Sequence, residues 1–261
     1  MSRYLPPELL DLIADHLHDE PATLKLCCVV STSWVPRARR HLFSHIEFGG
    51  PGSLIDSWMK AFPNPSNSPA HHTHTLWFSD LTSIIAASTY ARAWVNSFHR
   101  VVKSEVKTHW PESFCISLAQ FNGFLPSLRS LRLSRTSIPL SEALDLICSF
   151  PLLEDVRLDG VVTESGTDQW HPPPASPRFT GCLCLNEQSH SVARGLLDLP
   201  GGLRFSKISV FSSSGDAGSI AELVLRCSDT LESFTIHHYP MGAFPLTSAV
   251  YRYLIANGPR C

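Results

Sequence analysis

The sequence LPSLRSLRL at residues 125–133 is followed by FPLLEDVRL at residues 150–158, and the two segments align without a gap. Apolar residues occupy matching positions in both: Leu128, Leu131 and Leu133 in the first segment, and Leu153, Val156 and Leu158 in the second. The alternation of apolar and polar residues at the end of each segment predicts a β-strand with one buried face. The offset of 25 residues predicts a repeated structural unit.

The same pattern recurs, in weaker form, from one end of the chain to the other. Predicted strands end at Phe48, Phe78, Val106, Leu133, Leu158, Leu185, Val210 and Ile236, which are 30, 28, 27, 25, 27, 25 and 26 residues apart. Apolar residues at helical spacing predict a helix after each strand, at 54–62, 84–98, 114–124, 140–150, 191–199, 219–227 and 247–256. The predicted fold class is therefore α/β, a curved solenoid with a parallel sheet inside and helices outside.

The L-x-x-L-x-L arrangement resembles a leucine-rich repeat, although the array is irregular. Thr136 and Val161 stand where the regular motif has an asparagine, so we expect other groups to close the loops and the repeats to be uneven. The register at 177–185 stays open, because either Leu183 and Leu185 or Cys182 and Cys184 point inward. A slip of one residue there reverses every side chain.

Two segments rich in Pro, Ser and other polar residues, 62–74 and 164–177, are predicted to be loops at the edges of the array. The segment VYRYLIA at 250–256 is followed by no polar capping repeat, which an open solenoid end usually needs. Either the last helix caps the sheet or the array is incomplete.

Residues 5–43 show helical rather than strand periodicity. Leu5, Leu9, Ile13 and Leu17 recur every four residues and form one row on a helix that begins at Pro6 and Pro7. Pro21 marks the start of a second helix, which is apolar over most of its girth, and Pro36 begins a third helix that ends near Leu42 and Phe43. Three short helices bury little surface by themselves, so part of their apolar surface is expected to need a partner.

The order of these residues resembles the F-box motif: Leu5-Pro6, Glu8-Leu9, Leu17, and LCCVVSTSW ending at Trp34. The version found here is similar to the F-box proteins that are abundant in basidiomycete fungi. The resemblance implies an F-box-like helical domain at 1–48, ahead of the repeat array at 49–261. The alternative is an ordinary helical cap whose apolar face packs on the rest of the chain.

The F-box resemblance further implies that the first domain binds the Skp adaptor and, through it, the cullin of a ubiquitin ligase. The implied adaptor-facing residues are Leu5, Pro6, Leu9, Ile13, Leu17, Leu24, Val30 and Trp34. The chain would then be a non-catalytic substrate receptor that binds an unidentified protein through the repeats. Two alternatives remain open: a repeat scaffold outside a ligase, and a small-ligand sensor with a pocket beneath the loop at 164–177.

Residues that alternate with the apolar ones are predicted to line the concave face of the sheet. The predicted central row is Trp77, Glu105, Arg132, Arg157, Ser209 and Thr235, flanked by Lys103, Lys107, Ser130, Ser134, Asp155, Asp159, Lys207 and His237. The predicted substrate-binding residues on this face are Trp77, Glu105, Arg132, Asp155, Arg157 and Asp159. Among them, Arg132 and Arg157, with Trp77 farther along, form a candidate site for an acidic or carboxylate-bearing peptide. The competing interpretation is a solvated ladder of ion pairs among Glu105, Asp155, Arg157 and Asp159.

Composition argues against several other classes of protein. The net charge of -2 offers no basic footprint for nucleic acid or an acidic membrane. The eight cysteines include no C-x-x-C, and Cys148 and Cys227 fall in apolar patterns, so reduced thiols and a cytosolic or nuclear location are expected. No catalytic or cofactor motif is found, and the loop histidines His71, His72 and His74 lack further ligands for a metal. We therefore expect no enzyme activity, cofactor or metal.

Overall fold

A computed structural model describes residues 5–49, 54–78, 94, 96–107, 125–163, 170, 177, 179–186, 190–212 and 217–238. Within them, eight strands form one sheet in which each strand pairs in parallel with the next strand along the chain. The strands are β1 His45–Phe48, β2 Thr75–Phe78, β3 Lys103–Lys107, β4 Ser130–Pro139, β5 Asp155–Thr163, β6 Cys182–Leu185, β7 Lys207–Ser212 and β8 Ser233–His238. The α/β fold class and the parallel sheet are confirmed.

The predicted strand ends lie side by side across the whole sheet. Phe48 pairs with Phe78, and the row continues through Val106, Leu133, Leu158, Leu185 and Val210 to Ile236. The first seven of these side chains are buried, and Ile236 is half-buried. A 25- to 30-residue spacing in the sequence has thus become a continuous apolar row in the structure.

Helices cover the apolar face of the sheet. They are α4 Leu54–Ala61, α5 Leu140–Cys148, α6 His190–Leu197 and α7 Ala217–Arg226, in reasonable agreement with the predicted bounds. Leu144, Leu196 and Leu223 are fully buried in one hydrophobic cluster with the sheet residues. The predicted helices at 114–124 and 247–256 and most of the one at 84–98 lie outside the described residues. The helix predicted at 247–256 is the one that was considered as a C-terminal cap, so the structure does not test that expectation.

Three further helices precede the sheet: α1 Pro7–His16, α2 Pro21–Val30 and α3 Val35–Leu42, with a turn of 3-10 helix at Thr32–Trp34. Each α-helix has a proline in its first turn, where the missing N–H has no intrahelical partner to lose. Their own small core consists of Ala14, Leu24 and Ala38, all fully buried, and it is separate from the core of the sheet.

The strands begin in register because single backbone carbonyls each accept two N–H groups from the following repeat. The carbonyl of Ser44 accepts from His74 and Thr75 at 2.9 and 3.0 Å, and that of His74 accepts from Val102 and Lys103 at 2.9 and 3.1 Å. The same arrangement recurs at the carbonyls of Val102, Arg129, Gly181 and Ser206. These bonds satisfy the backbone where the chain enters the sheet.

One junction departs from this arrangement. The N–H of Gly181 donates to the Glu154 carbonyl at 3.3 Å, but the N–H of Cys182 donates instead to Oδ1 of Asp155 at 2.7 Å. A side-chain carboxylate therefore replaces a backbone carbonyl at the start of β6. A methyl group on Gly181 would lie 2.1 Å from the same Oδ1 atom, so any larger residue there must displace the carboxylate.

The register that the sequence left open at β6 is now defined. Leu183 pairs with Val156 and Leu185 pairs with Leu158, and both leucines are fully buried. Cys182 and Cys184 therefore lie on the opposite face. The six cysteines within the described residues are all free, and Cys227 packs in the core, as predicted.

The strands at the missing asparagine positions continue instead of turning. The backbone of β4 runs through Thr136 to Pro139, and β5 continues past Val161 to Thr163. Pairing between them shifts between Ser134 and Ser137 and then resumes. The expected unevenness of the repeats takes the form of two long strands with an irregular register, and α5 begins directly after β4.

We expect Gly181→Ala to lower the free energy of unfolding by about 1 to 3 kcal/mol, because the methyl group displaces the Asp155 carboxylate from the Cys182 N–H. Urea denaturation followed by circular dichroism measures the loss. Asp155→Ala removes the same bond, so the double mutant should lose less than the sum of the single mutants. Additive losses would contradict this account, and the exposed Lys207→Ala serves as the control.

Candidate interaction surfaces

A carboxylate on α1 fixes the packing of the N-terminal helices. Asp15 accepts hydrogen bonds from Nε of Arg37 at 2.6 Å and from a second Arg37 nitrogen, and its Oδ1 lies 2.7 Å from Nε2 of His41. These hydrogen bonds lower the pKa of Asp15 from 3.8 to about 2. Both partners lie on α3, so α1 is held against α3 by a charged network as well as by the small core.

The first two helices carry most of the exposed apolar side chains in the described structure. Of the nine large hydrophobic residues exposed there, seven form what we call the α1–α2 apolar surface: Leu5, Leu9, Leu12, Ile13, Leu26, Val29 and Val30. Val29 and Val30 are 85% and 80% exposed. A helix in a stable monomer normally turns such residues inward, so this concentration indicates a contact surface.

The predicted adaptor-facing residues divide into two groups. Leu5, Pro6, Leu9, Ile13 and Val30 are exposed, as a docking role requires. Leu24, however, is fully buried between the helices, and Leu17 and Trp34 are half-buried against the same core. We therefore revise Leu24 from a contact residue to a support of the bundle, because its side chain has no surface to offer a partner.

Three exposed residues of this surface were not among the predicted adaptor-facing residues: Leu12, Leu26 and Val29. Leu12 lies three positions after Leu9, and Leu26 and Val30 are four positions apart on α2. The helical spacing that marked the others includes them. The sequence does not show which side of α2 is buried, because that depends on where α3 packs against it.

The opposite face of the sheet carries the predicted polar row. Its central positions, paired from β1 to β8, are Glu47, Trp77, Glu105, Arg132, Arg157, Cys184, Ser209 and Thr235. The six predicted members all lie in this row, and Glu47 and Cys184 join them. Cys184 was missed because the β6 register was open. We call this surface, with its flanking residues, the polar face.

Ion pairs connect the central strands of the polar face. Arg132 donates from Nε to Asp159 Oδ2 at 2.7 Å, and its Nη2 lies 2.6 Å from the same oxygen. The Nε of Arg132 is also 3.5 Å from Glu105 Oε1, which accepts a hydrogen bond from Ser134 Oγ at 3.0 Å. Of the predicted ladder, Glu105, Arg157 and Asp159 do form ion pairs, and Arg132, which the ladder did not include, joins Glu105 to Asp159. Asp155 is not part of it, since its Oδ1 serves the Cys182 N–H.

Arg157 is held more loosely than Arg132. Its Nε is 3.8 Å from Asp159 Oδ1, and its side chain is 51% exposed. A hydrogen bond with Cys184, which is buried beside it, raises the pKa of Arg157. Arg132 is paired with two carboxylates, so Arg157 is the better placed of the two guanidinium groups for a ligand.

The polar face changes in character beyond β5, where the outward residues of the strands include no carboxylate. Its outward residues on β6, β7 and β8 are Cys182, Cys184, Lys207, Ser209, Phe211, Ser233, Thr235 and His237. The ring of His237 stacks on Phe211 at 4.3 Å, and its Nε2 lies 3.2 Å from Ser209 Oγ. Next to Arg157, this half of the face therefore offers hydroxyl groups and one lysine, with no acidic side chain among these residues.

Three further features of the described residues bear on other kinds of site. Among the described residues, no group of three or more His, Cys, Asp and Glu side chains is placed to hold a metal, and no helix is long and apolar enough to cross a membrane. The loop at 164–177 lies outside the described residues apart from Trp170 and Pro177. The Nε1 of Trp170 donates to Asp145 Oδ1 at 2.9 Å.

Comparisons with protein-family models and with curated proteins find no match to the chain.

We expect Asp15→Asn to lower the urea midpoint at pH 7, because the amide cannot replace the charged acceptor of Arg37 and His41. The folded-state pKa is depressed, so this stabilisation is complete above about pH 4 and disappears as the pH falls through about 2. The midpoints of the two proteins should therefore converge below pH 4. Glu222→Gln, at an exposed i,i+4 pair, is the control. Equal midpoints at pH 7 would contradict the assignment.

Proposed function

We propose that this chain is a non-catalytic substrate-receptor subunit of a Skp-cullin-F-box ubiquitin ligase. In this proposal, α1 to α3 are the F-box and bind the Skp adaptor. The sheet and its helices are a curved leucine-rich-repeat-like solenoid whose concave side, the polar face, binds a protein substrate. The observation that carries the proposal is the α1–α2 apolar surface, which lies within the segment that resembles the F-box motif.

The apolar surface supports docking on energetic grounds. Burying apolar area contributes roughly 25 cal/mol per Å², and the seven side chains of this surface remain in water in the isolated chain. The helices that carry them are already held in place by Asp15 and by the buried Leu24. Little ordering is then needed on binding, which favours affinity.

The mechanism in this proposal is proximity. The receptor holds a substrate lysine near the charged ubiquitin-carrying enzyme, which raises its effective concentration there without contributing a catalytic group. Two physically separate surfaces suit this role. The α1–α2 apolar surface rests on its own core, and the polar face rests on the core of the sheet.

The polar face supports recognition of a substrate segment with acidic or carboxamide groups. Arg157 is the anchor, because it is half exposed and only weakly paired. Ser209 and Thr235 extend the row with hydroxyl groups. Arg132 forms ion pairs with Glu105 and Asp159, so Glu105 and Arg132 contribute less than Arg157 to substrate binding in this proposal.

We expect the purified chain to bind a purified Skp adaptor, and Leu9→Asp or Val30→Asp to weaken this binding by about tenfold or more, because each buries a charge in an apolar contact. Isothermal titration calorimetry measures the affinity. These two positions are exposed in the free chain, so the substitutions leave its fold intact. Trp34 and Leu24 are unsuitable for this test, since they pack in the bundle.

A matched control is available at the far end of the chain. Leu225 is 51% exposed, compared with 45% for Leu9, and lies on α7. Leu225→Asp should leave the adaptor affinity unchanged. The proposal fails if the wild-type chain does not bind the adaptor, or if all three variants bind it equally well.

The two interfaces should be separable in cells. Affinity purification followed by mass spectrometry should show that Leu9→Asp loses the adaptor and cullin but retains the substrate, whereas Arg157→Glu loses the substrate but retains the cullin. If the wild-type chain captures partners but no cullin, the chain is a scaffold outside a ligase. Simultaneous loss of both partner classes in either variant would count against two independent surfaces.

A further inference from the structure

A group of basic residues gathers where the N-terminal helices meet the first strands. Arg39 and Arg40 lie in the last turn of α3, His71 and His72 end a short 3-10 helix at Pro69–His72, and Arg100 lies just before β3. We call these five residues the basic cluster. The first and last of them, Arg39 and Arg100, are 61 positions apart, so no single segment of the sequence contains the whole cluster.

The topology brings the cluster to one edge of the sheet. The carbonyl of Ser44 bonds to the start of β2, and the carbonyl of His74 bonds to the start of β3. The residues shortly before each of these points are therefore neighbours at the end where the strands begin. Helix α3 also packs directly against the Pro69–His72 turn, which places its last turn beside the two histidines.

Among the described residues, no carboxylate pairs with the arginines of the cluster. Within the described structure, Arg39, Arg40 and Arg100 are exposed and form no ion pair or side-chain hydrogen bond. Other arginines in the described residues do contact carboxylates: Arg37, Arg129, Arg132, Arg157 and Arg226. Three guanidinium groups that act on the same histidine therefore have no carboxylate partner among the described residues.

The electrostatic effect of the cluster is visible at its centre. His72 is half-buried, and its ring lies 3.9 Å from that of His71. Burial, followed by the positive potential of His71, Arg40, Arg100 and Arg39, lowers the pKa of His72 to about 4. The charges that lower the pKa of His72 are thus those of His71, Arg39, Arg40 and Arg100, and an anion placed among these cations would be stabilised for the same reason.

We propose that the basic cluster binds a short acidic segment of a partner protein, one rich in Asp and Glu. Guanidinium groups match carboxylates in a bidentate geometry, and three of them around His72 suit a few carboxylates in sequence. A nucleic acid fits less well, because its binding generally uses about 6 to 10 phosphate contacts and the net charge of the chain is -2. This surface is independent of the proposed adaptor and substrate contacts.

Fluorescence anisotropy with a labelled hexaglutamate peptide tests the proposal on the full chain. We expect binding at low salt that weakens as salt screens the charges, and no binding of a hexaglutamine peptide. The triple variant Arg39→Gln, Arg40→Gln, Arg100→Gln should bind hexaglutamate at least about tenfold more weakly. These side chains are exposed and form no ion pair or side-chain hydrogen bond, so the thermal midpoint of the variant should equal that of the wild type.

Controls separate this site from general charge. Arg226→Gln removes an exposed cation on α7 and should leave hexaglutamate binding unchanged. Equal binding by the triple variant, or no binding by the wild type, overturns the proposal. Tighter binding of an oligothymidylate than of hexaglutamate would overturn the assignment to an acidic protein segment.

The linkage between the ligand and His72 provides a second readout. If carboxylates enter the cluster, the His72 pKa must rise above its free value when the peptide is bound, because the protonated ring gains opposite charges nearby. An NMR titration of the histidine ring signals with and without hexaglutamate measures this directly. Binding that leaves the His72 pKa unmoved would place the peptide elsewhere and contradict the site.

Discussion

Alignment of one apolar side chain per repeat is the constraint on which the rest of this structure depends. Phe48, Leu133, Val210 and their counterparts meet across the sheet in a continuous buried row. Because side chains alternate along a strand, fixing this row also fixes which residues point the other way. The order Glu105, Arg132, Arg157 on the polar face is therefore a consequence of core packing, whatever those residues bind.

The weakest point of that alignment is the start of β6, and the chain stabilises it with a side chain. Asp155 supplies the acceptor that the Cys182 N–H lacks in the backbone, and Gly181 leaves room for it. A slip here would exchange Leu183 and Leu185 for Cys182 and Cys184 in the core. Asp155 was predicted to contact a substrate, and its Oδ1 has a structural partner instead. A surface carboxylate can therefore be needed as a hydrogen-bond acceptor for the backbone and not for a ligand.

The periodicity of apolar residues predicted the strands and most of the helices, because each of these elements buries one apolar side. The period of two in LRSLRL and the period near 3.6 in LSEALDLIC each leave one apolar side, and the structure buries that side. On α2 the same reasoning was insufficient. That helix is apolar around most of its girth, so the packing of α3 decides that Leu24 is buried and Leu26 exposed. The ion pairs of Arg132 and the basic cluster depend on distances between repeats, which a linear pattern does not contain.

The basic cluster differs from the other two surfaces in how it is built. The α1–α2 apolar surface belongs to the helical bundle, and the polar face belongs to the sheet, so each rests on a single core. The cluster takes Arg39 and Arg40 from the bundle and Arg100 from the edge of the sheet. Its geometry therefore depends on the junction, where Phe43 packs edge-on against Trp58 at 5.7 Å. Any partner that shifts the bundle against the sheet changes the spacing of these arginines, and an acidic ligand that bridges them opposes that shift by linkage.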